Sequence, residues 1–274
     1  VLQTLKIFTM RKNLLFVIAM LFATGLSAQL YVGAKLGYGF GAQKTAFGST
    51  MTATSDANIY ASMGQGIPVG LKVGYFFNDN LGVELGMNYF LGAEQTMADV
   101  TMTGYTNNAT AKSNQIRLLP ALVYKTDMGL YGRFGMVVPV GGSTVVKSTE
   151  VMGATTTETE LLAKGSMSFG FVGSLGYEFE LSDNLKLFGE LEYVGLSIKS
   201  KSLEMTSYKV NGTDQLAAVP EYNKMTNYVD ELTSSSNNSS YNQNVDPTKA
   251  KDDLADYSGY SAFRINFGVS FYFN

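Results

Sequence analysis

Glu190 and Glu192 stand two residues apart in a run that alternates apolar and polar side chains. On a strand, such residues share a face about 6.6–6.8 Å apart. That is near the separation of a general acid and base pair, so paired-carboxylate hydrolysis is the first chemistry to consider. Little else in the chain supports catalysis. The sequence holds no histidine and no cysteine, which removes the usual general base, the His-dependent dyads and any thiolate nucleophile. What remains is Ser with Lys, or carboxylates alone. The plainer reading makes Glu190 and Glu192 members of a larger charged set on the polar faces of several strands. Lys35, Lys72, Glu84, Arg117, Arg133, Glu178 and Arg264 belong to the same set. Both signs occur, so these groups can pair, as buried charges must. On this reading no residue is catalytic, no metal is bound and no cofactor is expected. Asp252, Asp253 and Asp256 offer oxygen ligands suited to Ca²⁺ or Mg²⁺, but they read more simply as a solvated acidic patch.

Eight segments carry the alternation that would position these charges: 30–40, 66–77, 81–92, 114–125, 130–140, 165–181, 185–199 and 259–273. The third sets Leu81, Val83, Leu85, Met87, Tyr89 and Leu91 against Gly82, Glu84, Gly86 and Asn88. The last sets Phe263, Ile265, Phe267, Val269, Phe271 and Phe273 against Arg264, Asn266, Gly268, Ser270 and Tyr272. Side chains alternate faces along a strand, so one face is apolar and the other small or charged. An apolar face ending in aromatics suits lipid, and a polar face with Gly and Arg suits a narrow lumen. The alternative is a soluble barrel with its apolar face inside, but eight strands enclose too little space for that much aromatic volume.

The connections set the topology. Asn78-Asp79-Asn80, Thr126-Asp127-Met128-Gly129 and Ser182-Asp183-Asn184 read as short turns. They alternate with long polar segments at 41–65, 93–113, 141–164 and 200–258, as in a membrane barrel with short periplasmic turns and long outer loops. The 200–258 segment includes the tract Thr233-Ser234-Ser235-Ser236-Asn237-Asn238-Ser239-Ser240. It has too little apolar content to fold alone and is expected to be mobile.

Upstream, Arg11-Lys12 precedes an apolar run from Leu14 to Ala23 and small residues to Ala28. This is the pattern of an export signal, with Met10 as the better start. Residues 1–28 are therefore expected to be removed, leaving one barrel domain at 29–274. Losing Lys6, Arg11 and Lys12 would take the formal charge from −3 to −6, a balance that argues against nucleic acid as a partner.

With export signal, eight alternating strands and an aromatic final strand, the chain resembles the eight-stranded outer-membrane β-barrels of the OmpA/OmpX type. The resemblance covers residues 30–273 and rests on architecture. It implies an all-β, antiparallel up-and-down transmembrane barrel in the cell outer membrane, in contact with lipid and lipopolysaccharide. The ending Phe267, Val269, Phe271 and Phe273 is similar to the family's C-terminal assembly signal, which implies insertion by the barrel assembly machinery. Asn274 departs from that pattern, which usually ends on the aromatic. No periplasmic peptidoglycan-binding domain is read in the sequence. The expected role is structural and surface-interacting, with an extracellular ligand reached through the loops. A narrow porin-like channel for ions or small solutes is the alternative.

Overall fold

Residues 29–273 are described in the computed structural model of the chain, so the expected export signal and Asn274 lie outside the described residues. In chain order the strands begin with β1 (Gln29–Gly41), β2 (Thr45–Thr52), β3 (Ser55–Ala61), β4 (Gly66–Phe76), β5 (Leu81–Gly92) and β6 (Gln95–Met102). The two longest follow, β7 (Tyr105–Lys125) and β8 (Leu130–Met152), then β9 (Thr155–Gly165), β10 (Gly170–Glu180), β11 (Leu185–Gly195) and β12 (Ser197–Val210). Short pieces β13 (Thr213–Asp214), β14 (Met225–Val229), β15 (Lys251–Leu254) and β16 (Tyr257–Gly259) precede β17 (Ala262–Phe273).

Antiparallel pairing runs in a closed circuit: β1 with β4, β4 with β5, β5 with β7, and β7 with β8. It continues from β8 to β10, β10 to β11, β11 to β17, and β17 back to β1. A closed circuit leaves no edge, so each strand's backbone N–H and C=O groups find partners on both sides. The three short turns lie at one end of the ring, together with the ends of β1 and β17, where Leu30 pairs with Phe273.

The described residues form seventeen strands where the sequence suggested eight. The difference lies in the polar segments expected as loops, which fold as hairpins beyond the ring. β7 and β8 stay paired from Lys125–Tyr131 out to Tyr105–Met152, and β9 continues the wall by pairing with β8 and β12. Two signals for this were present. The stretch Thr144-Val145-Val146 is β-branched, which favours strands. Asn211-Gly212, both at positive φ (49° and 77°), forms the two-residue turn joining β12 to β13. Within the tract 233–240, amide side chains bond the backbone of the segment that follows it. Asn237 Nδ2 donates to the carbonyls of Asp246 (3.0 Å), Lys249 (3.2 Å) and Ala250 (3.0 Å), while its Oδ1 accepts from the Asp246 N–H at 2.8 Å. Asn238 Nδ2 adds a bond to the Asp252 carbonyl at 2.8 Å. Side-chain amides satisfy the backbone here in place of an apolar core. In the same segment the Thr248 hydroxyl, then its backbone N–H and Lys249, hold the Asp246 carboxyl down at about 2.

Exposure alternates with the period of the strand. Along β5 every odd residue from Leu81 to Leu91 is exposed and every even residue from Gly82 to Gly92 is buried. On β17 the apolar side chains from Phe263 to Phe273 are 41–66% exposed. The large apolar residues thus face outward, opposite to a soluble barrel. Aromatic pairs form two belts on this outer face. Tyr38–Phe40 and Tyr193–Phe263 lie toward the hairpin end, while Tyr75–Phe77, Tyr177–Phe179 and Phe271–Phe273 lie toward the turn end. From Phe263 to Phe271 is about 27 Å along the strand, or roughly 20 Å once the strand tilts as membrane strands do.

Inward glycines make room for inward aromatics. Tyr31 faces Gly74, Tyr131 faces Gly176 and Phe188 faces Gly268 across neighbouring strands. A Cβ on Gly74 would lie 2.2 Å from Tyr31 Cζ, and one on Gly176 2.4 Å from Tyr131 Cζ. Each ring therefore lies against bare backbone, a pairing that pins strand register. Gly74→Val is expected to destabilise the fold by about 1–3 kcal/mol through overpacking, read from the denaturant midpoint of the refolded protein. An unchanged midpoint would show that Tyr31 does not rest on Gly74.

Candidate functional site

Strand parity alone decides which charges enter the ring, and all nine charges singled out in the sequence are buried there. The structure joins eight of them into two groups. Arg133 on β8 is the hub of the larger. Its Nη1 donates to Glu84, its Nη2 to Glu190 Oε1 and Glu192 Oε2 at 2.8 Å each, and its Nε to Ser174 Oγ at 2.9 Å. Lys35 Nζ bridges the same two carboxylates at 3.0 and 2.8 Å. Arg264 Nη1 reaches Glu192 Oε1 at 3.1 Å. Lys72 Nζ lies 3.4 Å from Glu84 Oε2 and 3.9 Å over the Phe188 ring. The smaller group closes the turn end. There Glu178 takes Lys125 Nζ at 2.6 Å and the Tyr272 hydroxyl at 2.8 Å on both oxygens.

Six strands, β1, β4, β5, β8, β11 and β17, supply the charges of this lattice: β11 brings Glu190 and Glu192 opposite Asn266 and Arg264 of β17, while β8 brings Arg133 opposite Ser174 of β10. The remaining oxygens are filled by groups the sequence reading left out. Tyr31 donates to Glu84 Oε2 at 2.8 Å, Tyr131 to Glu190 Oε2 at 3.0 Å, and Asn266 Nδ2 to Glu190 Oε1 at 3.0 Å. Their signal was available: Tyr31 shares the face of Lys35, Tyr131 that of Arg133, and Tyr272 that of Arg264. All four oxygens of Glu190 and Glu192 accept hydrogen bonds. A charged lattice with this many charge-assisted bonds is rigid and spans the ring's interior.

Arg117 stands apart. It is fully buried, yet its one hydrogen bond among the described residues runs from Nε to Gln115 Oε1 at 2.8 Å, with its guanidinium carbon 4.1 Å over the Phe90 ring. The pairing expected for the whole set does not reach it, because β7 faces no carboxylate at that level. Outward of Arg117 lies a cavity of about 760 Å³ between the hairpin walls, with Phe47, Met63, Met97, Gln115, Ile198 and Tyr260 in its lining. In the outer segment Asp253 pairs with Lys251 at 2.7 Å and Asp252 Oδ2 accepts from the Asn237 N–H at 2.8 Å. At the other end of the sequence pattern, Phe267, Val269, Phe271 and Phe273 line the outer face of β17 and do not touch the lattice.

A family model for the outer membrane protein β-barrel domain matches residues 14–273. Among solved structures, the outer membrane protein OprG from Pseudomonas aeruginosa is similar at 12% identity and a TM-score of 0.46, over 90% of this chain and 97% of that one. A major outer membrane protein from Thermus thermophilus gives 12% identity and a TM-score of 0.40, over 90% and 100%. Ail, the attachment invasion locus protein of Yersinia pestis, gives 8% and 0.27, over 90% and 97%. No curated protein sequence matches. With identities and scores this low, the family model alone carries the assignment. The chain belongs to the outer membrane protein β-barrel domain family, and its place is the outer membrane.

Proposed function

We propose that the protein is a non-enzymatic, eight-stranded outer-membrane barrel of the small OmpA/OmpX-like kind, with a structural and surface-interaction role. The observation that carries this is the charged lattice from Lys35 to Arg264, whose ion pairs run through Arg133 from Glu84 on β5 to Glu190 and Glu192 on β11, opposite it in the circuit. An interior committed to ion pairs favours a rigid brace. The walls raised by β2, β3, β6, β9 and β12 then become the surface on which a ligand is met. The closed circuit of eight strands favours the smaller barrels within the family. The alternating Phe267, Val269, Phe271 and Phe273 face supports recognition by the barrel assembly machinery, and the outer aromatic belts support contact with lipid and lipopolysaccharide. No cofactor and no nucleic acid enter this reading.

Display of the hairpin end outside the cell is open to a direct test, because the chain has no cysteine of its own. Exposed Ser235 and Asp79 mark the two ends. Ser235→Cys is expected to react with a membrane-impermeant maleimide on intact cells, and Asp79→Cys only after the cells are broken. The reverse pattern, or equal labelling at both sites, would contradict surface display of the hairpins. The second reading is a narrow channel, favoured by the open cavity that reaches down to Gln115. Conductance separates the two.

A further inference from the structure

We propose that the outer end of the lumen binds a small monoanion, held between the guanidinium groups of Arg117 and Arg264 and reached through the cavity above them. The charge balance points there first. The buried ionisable groups are five cations (Lys35, Lys72, Arg117, Arg133 and Arg264) against four carboxylates (Glu84, Glu178, Glu190 and Glu192). The four carboxylates hold every cation of the set except Arg117, together with the half-buried Lys125. Arginine does not shed its proton in proteins. A buried cation without a counter-charge is among the costliest arrangements a fold can contain, so this position calls for an anion.

The donors that would hold one are in place. Arg117 Nη1 and Nη2, Arg264 Nε and Nη2, and Asn88 Nδ2 are buried and without a hydrogen-bond partner among the described residues. Asn88 lies directly across from Arg117 in the β5–β7 register. Both guanidinium carbons lie over the one Phe90 ring, at 4.1 and 5.5 Å. Two like charges brought to one ring repel each other, and an anion between them turns that repulsion into two charge-assisted contacts. Glu192, the nearest carboxylate in the lattice, is already engaged by Lys35, Arg133 and Arg264.

Access comes from the same geometry. Phe90 pairs in register with Gln115, and Gln115 lines the cavity. Phe90 and Arg117 are themselves fully buried and outside that lining, so the ring that carries both guanidinium groups lies one layer beneath the floor that Gln115 forms. Arg117 is the next inward position on β7, and its Nε leans back to Gln115. Above the floor the walls include Phe47, Met63, Met97, Val146, Leu161 and Ile198. A free halide fits the donor set, and so does a carboxylate whose short apolar tail lies against those walls. The shared chemistry is one negative charge with acceptor lone pairs.

Chloride-35 line width in the presence of the refolded protein in uncharged detergent is the test, with sodium acetate and sodium octanoate as competitors. The wild type is expected to broaden the chloride line saturably, and acetate to narrow it again. Arg117→Gln is expected to weaken the saturable part by about tenfold or more, the loss of one charge-assisted contact. Displacement by octanoate at about tenfold lower concentration than acetate would place an apolar tail in the cavity. Equal displacement would identify a site for free small anions. Broadening that is not saturable, or not displaced by either carboxylate, overturns the proposal from the wild type alone, whether or not the variant folds. Equal saturable broadening by folded Arg117→Gln overturns it as well.

Discussion

Arg133→Met is expected to lower the unfolding free energy of the refolded protein by about 3–5 kcal/mol, the cost of breaking a buried ion pair from one side. Met matches much of the arginine's length and apolar stem, so the loss reports charge and not volume. The effect is large because Arg133 serves three carboxylates at once: Glu84, Glu190 and Glu192. Lys35, Lys72 and Arg264 remain nearby, but each is already committed to one or two of the same groups. Arg133→Lys should recover only part of the loss, since an ammonium is a point charge and cannot present the planar fork that meets two carboxylates side by side. Denaturant unfolding in detergent micelles measures all three proteins. A loss below about 1 kcal/mol for Arg133→Met, the range of an exposed pair, would mean that the lattice is solvated and does not brace the ring.

The second large effect concerns the outer face. Leu85→Arg is expected to disfavour the inserted state by about 2–4 kcal/mol, the cost of a cation at the bilayer midplane on a barrel's lipid side. Leu85 is half exposed and lies midway between Leu81 and Tyr89 on the outward face of β5. Its neighbour Gly86 faces inward, where an added Cβ would meet Leu119 Cβ at 3.4 Å, an ordinary contact. Gly86→Ala should therefore change stability by less than about 1 kcal/mol. Folding into lipid vesicles of matched thickness reads both. Equal tolerance at the two positions would contradict the assigned facing, since one-residue parity is all that separates them.

Facing was legible in the sequence because it is a local property with a period of two. From Leu81 to Leu91, or from Phe263 to Phe273, each residue's side follows from its neighbours, and the nine inward charges were found that way. Partner choice was not legible. Whether Arg133 meets Glu84 or Glu178 depends on register passed around the circuit through β4, β5, β7 and β8, and no single segment holds that information. The roles of Tyr31, Tyr131 and Tyr272 were not legible for a related reason: even for Tyr272, which the alternation places on the polar face, a hydroxyl's role stays hidden until its acceptor is located. The isolation of Arg117 was invisible for the same cause. The outer hairpins were hidden by composition. Thr, Ser and Asn read as loop residues, but Asn237 and Asn238 satisfy the backbone through their amides, and the Thr- and Val-bearing edges of β8 and β9 extend a ladder already started in the ring.

In the proposed role, paired charges close the lumen and leave the hairpin end as the working surface. Planar-bilayer recording of the refolded protein tests this most directly, with folding verified in the same preparation by its shifted migration on unheated gels. Silence is expected, with no steady single-channel steps, because ion pairs of Arg133 and Lys35 with Glu190 and Glu192 cross the ring's interior. Reproducible unitary steps from folded protein would contradict it, and would make those same side chains the determinants of a channel's selectivity.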